Sequence, residues 1–347
     1  MADNVSNRPR MPALIKRDAG AVNVELGSVP RPSPGPDEVI IEVWATGICG
    51  TDLHIQDDEF PSIPPVVMGH EVTGRVAEAG PGAEEWVGQR VSPETYFYTC
   101  DRCPACLAGR RNLCPERRSI GSHVNGGFAT YLLVPQRNLH TVHESVGEHA
   151  GALYEPLSCV AQCLCDPAVA SPGDTALVVG PGAMGILSAQ VLKAQGADVT
   201  ISGTPGDQQR LDIAESLGLR PVLASDLERV VPGRGFDVVA DASGAERGIE
   251  AGLRAVRKGG HYVQVGLTGK PISVDIDLIC LKELVVTSGF ASTPRSWRRV
   301  EQLIASGAVM LDPLVTDISP LSQWETSFAR TRRADGLKLM LDPRLDR

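Results

Sequence analysis

The sequence predicts an α/β protein: a β-rich first half followed by a doubly wound parallel-sheet domain. Three observations carry this expectation. Short β-branched runs bounded by Gly and Pro fill the chain up to about residue 166. From about residue 167 onward, strand-like and helix-like segments alternate. The strands of that second stretch are apolar throughout, as in a parallel sheet covered on both faces. A length of 347 residues fits about two domains.

The elements follow in chain order. Residues 39–44 (V-I-I-E-V-W) read as a strand after the Pro-rich turn at 30–36. Residues 72–77 and 131–134 read as further short strands. Next come a strand at 176–179, a helix at 185–195, a strand at 199–201 and a helix at 207–217. Residues 238–240 (strand), 245–256 (helix), 262–265 (strand) and 283–287 (strand) continue the alternation. An amphipathic helix at 295–305 opens the last fifty residues, where the character is mixed again. No internal repeat and no low-complexity tract is visible.

Composition excludes several function classes. The net charge is −9, and only 15 residues are aromatic (Trp 4, Tyr 5, Phe 6), so nucleic acid is not an expected partner. No apolar run approaches the ~20 residues of a membrane span. Residues 1–12 are polar, with Arg8 and Arg10 and no apolar core after them. They read as a short disordered leader rather than a signal peptide. A cytoplasmic location is expected, where clustered cysteines bind metal more often than they form disulfides.

Residues 180–185 read G-P-G-A-M-G, placed after a strand and opening a helix. In such a turn Gly180 makes the bend, Gly182 lets backbone approach a pyrophosphate, and Gly185 lets helix and strand pack. Ala183 and Met184 complete the turn, and the anion sits on the open N–H groups of the helix. About 20 residues on, an acid usually binds the adenosine ribose. Here the strand ends Ser202-Gly203-Thr204, and the nearest acid is Asp207. Without that charge a 2′-phosphate is not repelled; Ser202 and Thr204 could donate to it and Arg210 could add charge. The balance leans to NADP over NAD, although Arg210 reads equally well as a solvated helix residue.

Of nine cysteines, Cys100, Cys103, Cys106 and Cys114 form C-x2-C-x2-C-x7-C. Four thiolates at this spacing can close a tetrahedral shell around Zn2+, which makes a structural site. Iron–sulfur ligation uses similar runs, but no electron-transfer partner site is evident. A second set is spread over 47–54 (G-I-C-G-T-D-L-H) and 69–71 (G-H-E). Thiolate, imidazole and carboxylate suit Zn2+, and three ligands with an open fourth position suit catalysis. Cys159, Cys163, Cys165 and Cys280 show no ligand spacing. His123, His140, His143, His149 and His261 have no visible partner.

These motifs, with G-G-F-A-T-Y at 126–131 and Y-E-P-L-S at 154–158, resemble the zinc-dependent medium-chain dehydrogenase/reductase family. The similarity is greatest to its polyol branch, the sorbitol (iditol) and threonine dehydrogenases, and it spans about residues 12–343. The resemblance implies a GroES-like catalytic domain at 1–166 and 293–347, with a structural-zinc lobe at about 95–118. It implies a Rossmann domain at 167–292. It also implies that Cys49, His70 and Glu71 hold a catalytic zinc, with Glu155 ranked above Cys159 as a further ligand. By the same resemblance Thr51 relays the substrate proton and His54 passes it to solvent. Val265-Gly266-Leu267 and Ser288-Gly289-Phe290 match segments that line the nicotinamide. Phe60, Phe97, Tyr98 and Phe128 lie near ligand segments, though core packing is the commoner role for such residues.

The expected activity is therefore reversible, NAD(P)-linked oxidation of a secondary alcohol of a polyol, sugar or amino alcohol. The alternative is a biosynthetic ketone reductase acting on a cyclitol or natural-product intermediate. Two zinc ions per subunit and NADP or NAD are the implied cofactors. The implied partners are a small alcohol or ketone and further copies of the chain, as a tetramer or dimer, with no nucleic acid and no membrane.

Overall fold

The computed structural model describes residues 8–346. The chain forms two compact units, one running to Glu155 and resuming at Leu314, the other spanning Pro156–Pro313.

The first unit is built on the strand Glu38–Gly47, whose apolar residues are almost all buried. It pairs antiparallel with Glu71–Ala79 and with Tyr131–Pro135 on its flanks, and with Lys338–Asp342 at its end. Val315–Pro320, Arg90–Pro93 and Leu139–Thr141 complete a seven-stranded sheet. Val39, Ile41, Val43, Val72 and Val76 pack one core beneath it. Leu14, Met68, Phe128, Trp324 and Phe328 form another.

Part of the stretch read as a leader is ordered structure. Arg10–Lys16 is a strand between Val24–Pro30 and Val66–Val67. Met11, Ala13, Leu14 and Ile15 are buried in it, so apolar burial overrides the local polarity of residues 8–12. Residues 1–7 lie outside the described residues.

In the second unit six strands lie parallel. Their order is Arg220–Leu223, Asp198–Gly203, Thr175–Val179, Phe236–Asp241, Val256–Gln264 and Val285–Ser288. This is the doubly wound order, with a reversal at the first strand where nucleotides bind. The helix Ala183–Ala194 is buried on all sides from Gly185 to Leu192, whereas Glu246–Ala255 buries one stripe, Ile249, Gly252, Leu253 and Ala255. The strand Arg220–Leu223 carries no expected element, because its half-buried R-P-V-L is too short for a readable period. The expected strand at 262–265 is longer, Val256–Gln264, and runs through Lys258-Gly259-Gly260 with a register shift.

The units divide at Glu155/Pro156 and Pro313/Leu314, outside the expected limits of 166 and 293. Side-chain contacts account for the difference. Thr293 Oγ1 donates to Gln162 Oε1 at 2.8 Å. Arg295 and Arg299 both pair with Asp166, at 2.7 and 2.9 Å. These bonds join 156–166 to the helix Pro294–Ala305; Gln195 Nε2, donating to Leu164 O at 2.7 Å, and Gln190, bonded to Met310, then tie both to the second unit.

Candidate metal centres and nucleotide turn

Three neighbouring strand ends create the first metal set. Gly47, the last residue of the central strand, pairs with Glu71 on one side and Met340 on the other. Two residues on, Cys49 caps the helix Gly50–Gln56. His70 immediately precedes the Glu71 strand. The Cys49 Sγ, a His70 ring nitrogen and a Glu71 carboxylate oxygen all lie within 4.8 Å of one another. Atoms of these types at bond lengths of about 2.0–2.3 Å from one ion fall within such a spread, so the donor set fits Zn2+.

Asp52, which carries no role in the sequence motif, lies directly behind this trio. Its Oδ2 accepts the Cys49 N–H at 2.9 Å, and its Oδ1 faces His70 Nδ1 at 3.5 Å. Asp52 is fully buried, and Oδ1 makes no hydrogen bond. Burial alone would lower the His70 pKa, but the Asp52 carboxylate reverses the sign and holds it well above its ordinary value. A carboxylate behind a ligating imidazole turns the other ring nitrogen toward the ion.

Lys338 is the second residue with no signal in the sequence. It sits in an apolar strand, K-L-M-L-D, yet its Nζ reaches both Glu71 oxygens, at 2.8 and 2.7 Å. Burial pulls its pKa down, and Glu71, Cys49 and Glu155 more than reverse this. Glu155 is itself buried, in the first turn of the helix Tyr154–Leu164. Neither Glu155 nor Cys159 belongs to the close trio among the described residues.

Thr51 Oγ1 stands 3.6 Å from Cys49 Sγ. His54 lies three residues further along the same helix; its Nδ1 contacts Glu59 Oε2 at 2.7 Å, and its side chain is 47% exposed. Of the aromatic candidates, Phe128 is core, its ring tilted against Phe328 with centroids 5.9 Å apart, while Tyr98 is exposed on the cysteine lobe.

The four lobe cysteines converge fully, with all four Sγ atoms within 4.8 Å. Cys100 Sγ is 3.6 Å from Cys114 Sγ and 4.0 Å from Cys106 Sγ. Those separations exclude disulfides and match the ~3.8 Å edge of a tetrahedron with 2.3 Å Zn–S bonds. Backbone N–H groups of Cys100, Cys103 and Cys106 donate to Cys114, Cys100 and Cys103 Sγ, each at 3.4 Å. Such donors favour thiolate, and N–H donation from Arg102 leads the causes that bring the Cys100 pKa down to about 7.

In the second unit, Gly180 has φ +96°, and a Cβ there would meet Ser243 at 2.9 Å. A Cβ on Gly185 would stand 1.8 Å from Gly180 O, whereas one on Gly182 would face open space. Bend, close packing and an open approach thus fall on the three glycines as the motif requires. At the next strand end, Gly203 packs on Pro181, 2.7 Å from where a Cβ would stand, which leaves no room for an acid. Ser202 corrects the sequence reading: it is buried, its Oγ donating inward to Val178 O, so it offers no donor at the strand end. Thr204 N and Oγ1 donate to Asp207 Oδ2 at 3.0 and 2.7 Å, and Arg210 pairs with Asp207 at 3.4 Å.

Asp241 organises the two loops beyond the turn. Its carboxylate accepts from Ser243 Oγ, Gly244 N and Gln264 Nε2, and its carbonyl from Val265 N and Gly266 N. Burial raises its pKa against these donors. Asp241→Asn turns an accepting oxygen into a donor facing other donors. It is expected to cost about 1–3 kcal/mol of unfolding free energy, read by urea denaturation. Leu267 and Phe290 are exposed, and Gly289 packs on Cys163.

Each histidine left without a visible partner has one. His123 meets Ser122, His140 meets Glu94, His143 meets Ser145, His149 meets Asp342 and His261 meets Thr287. Two of these contacts are local in sequence, His123–Ser122 and His143–Ser145, and the other three join remote segments.

Comparison with known proteins agrees with this geometry. Residues 35–144 match the alcohol dehydrogenase GroES-like domain, and 183–306 match the zinc-binding dehydrogenase family. The chain is 34% identical to a sorbitol dehydrogenase of Halalkalibacterium halodurans, covering 96% of this chain and 99% of that protein. It is 37% identical to an L-threonine 3-dehydrogenase of Pyrococcus abyssi, over 88% of this chain and 91% of that one. A Sinorhizobium meliloti 1021 structure bound to NADP is 32% identical with a TM-score of 0.88, covering 97% of this chain and 100% of that one. No helix among the described residues is long and apolar enough to cross a membrane. With a GroES-like unit, a doubly wound nucleotide unit and relatives of this similarity over nearly their whole length, the chain belongs to the zinc-dependent medium-chain dehydrogenases, enzymes acting on CH–OH donors.

Proposed function

We propose that this chain interconverts a secondary alcohol of a polyol, sugar or amino alcohol with its ketone, using NAD(P). The observation that carries the reading is the Cys49–His70–Glu71 trio with the Thr51 hydroxyl beside it. When bound, zinc supplies Lewis acidity at the alcohol oxygen and the nicotinamide supplies the hydride acceptor. Cys49 and His70 ligate the metal, Asp52 orients His70, and Glu155 stands near as a further carboxylate. Thr51 takes the alcohol proton. His54, exposed and paired with Glu59, returns it to solvent. The four lobe cysteines hold a second, structural zinc, which makes two per chain.

NADP is the preferred cofactor in this reading. The missing acid at Gly203 supports it, as does the NADP carried by the Sinorhizobium relative. Thr204 and Arg210 both rest on Asp207, so a 2′-phosphate replaces that carboxylate as their partner. An NADP preference also favours the reductive direction, toward the ketone-reductase alternative. The deciding experiment is a panel of polyols, sugars, amino alcohols and cyclitols assayed with both cofactors. Absence of turnover on every secondary alcohol and ketone would refute the reading, and a strong NAD preference would refute the cofactor assignment.

A homo-oligomer in the cytoplasm completes the proposal. Val285–Ser288 is an edge strand of the six-stranded sheet, and Leu281, Val285, Val286 and Phe290 beside it are exposed. An unpaired apolar edge pairs with a second copy or aggregates. Val286→Lys is expected to reduce the assembly to a smaller species in light scattering, with the fold retained by circular dichroism. None of the nine cysteines is disulfide-bonded, which suits a reducing compartment.

A further inference from the structure

Open parallel sheets take their ligands at the carboxyl ends of the strands. At that end of the second unit, one amide joins groups from three segments. Gln264 is the last residue of Val256–Gln264, paired with Asp241 on one side and Ser288 on the other. Its Nε2 donates to Asp241 Oδ1 at 3.0 Å and to Gly266 O at 2.8 Å. Its Oε1 accepts the Tyr262 hydroxyl at 2.8 Å. Burial and the nearby Asp241 carboxylate push the Tyr262 pKa up, so the hydroxyl remains a donor. Two acceptors on one side and a donor on the other admit one orientation of the amide. Tyr262 and Asp241 are both buried, which fixes the partners at either end.

The loops joined in this way meet backbone to backbone. A Cβ on Gly244, at φ +60°, would stand 2.2 Å from Leu267 O. One on Gly266 would stand 2.6 Å from Gly244 N. Residues 242–244 and 265–267 therefore pack with no side chain between them at these points. Asp241 holds the start of each loop, through Ser243 Oγ and Gly244 N on one side and Val265 N and Gly266 N on the other. Gln264 adds the bond to the Gly266 carbonyl and, through Asp241, couples it to the first loop. An apolar residue at 264 would leave the Gly266 carbonyl and the Asp241 oxygen each short of a donor.

We propose that Gln264 is a positioning residue that fixes 265–267 against 242–244 as a rigid wall for the nicotinamide half of the dinucleotide. The inference rests on the reading of this chain as an NAD(P)-linked dehydrogenase whose Val265-Gly266-Leu267 line the nicotinamide. It adds what orders that loop. A ligand that meets an ordered loop is spared the cost of ordering it, so the amide contributes affinity through the loop.

The test uses full-length protein and isothermal titration calorimetry with the whole cofactor and with its adenosine part. The probes are NADPH and 2′-phospho-ADP-ribose, with NADH and ADP-ribose in parallel. Gln264→Met keeps the length of the side chain and removes all three bonds. It is expected to weaken the tighter-bound dinucleotide about tenfold and to leave the matching fragment within about twofold. Tyr262→Phe removes only the hydroxyl that holds Gln264 Oε1, and is expected to give the same split at about threefold. Gln264→Met decides the test if circular dichroism shows it folded, and Tyr262→Phe decides it otherwise. A merely structural role would weaken dinucleotide and fragment alike. The proposal is overturned if the deciding variant weakens both equally, and equally if it weakens neither. A wild type that binds neither dinucleotide more tightly than its fragment would instead defeat the nicotinamide reading, and this assignment with it.

Discussion

Cys49→Ser is expected to lower turnover by at least about a thousandfold while leaving dinucleotide affinity within about threefold. The first number follows from what the metal contributes. Lewis-acid stabilisation of a developing charge is worth several kcal/mol, and ~4 kcal/mol is a factor of a thousand in rate. Serine has the shape of cysteine without the soft thiolate that anchors Zn2+, and only His70 and the carboxylates would remain. The second number follows from the fold. Cys49 lies in the first unit, whereas Gly180, Gly182 and Gly185 lie in the second, which has its own core around Leu177, Val239 and Leu253. Turnover and metal content, set beside cofactor binding by nicotinamide fluorescence, give the measurement. Undiminished turnover would show that Cys49 is not a ligand; lost cofactor binding would show general misfolding instead.

Cys103→Ser is expected to unfold the lobe around residues 95–118 and lower the thermal midpoint of the protein by on the order of 10 °C. Zinc content should fall from two per chain to one. The reasoning is that little besides metal can hold this segment. Its only sheet is the short pair Tyr96–Tyr98 and Arg118–Ser119. Its helix, Pro104–Leu107, is one turn long. Leu107 and Leu113 face solvent rather than a core. Where apolar burial is this small, a metal supplies the folding free energy directly. Differential scanning calorimetry with metal analysis provides the check. An unchanged midpoint with one zinc lost would show that the lobe folds by itself.

The sequence carried local chemistry well. The convergence of the cysteine lobe was readable because all four cysteines fall within fifteen residues. The glycine turn was readable because each glycine answers a backbone requirement rather than a distant partner. The strands and helices of the second unit were readable because their apolar periods are local. Boundaries were less so. The helix Pro294–Ala305 reads as a return to the first domain, but its arginines pair with Asp166, and 156–166 is itself held to the second unit by Gln195.

Two kinds of information were missing from the sequence. One is the direction of a side chain. Ser202 and Thr204 are near neighbours at a strand end, but the first turns into the core and the second into a turn with Asp207. The other is pairing between remote strands. Lys338 lies 267 positions from Glu71, in a strand whose other residues give an ordinary apolar signal. No spacing rule joins them.

Residue types and their short spacings therefore determined which groups could hold a metal and a dinucleotide, thiolates and imidazole for the one and glycines for the other, and the family those motifs define. Tertiary structure alone decided how charge is balanced at the metal. Hydrogen bonding between adjacent strands sets Glu71 opposite Gly47 and Gly47 opposite Met340, with Lys338 two residues away on the third strand. Only that sheet register, with a bare glycine in the middle, lets a buried carboxylate reach a buried ammonium beside the ligand set.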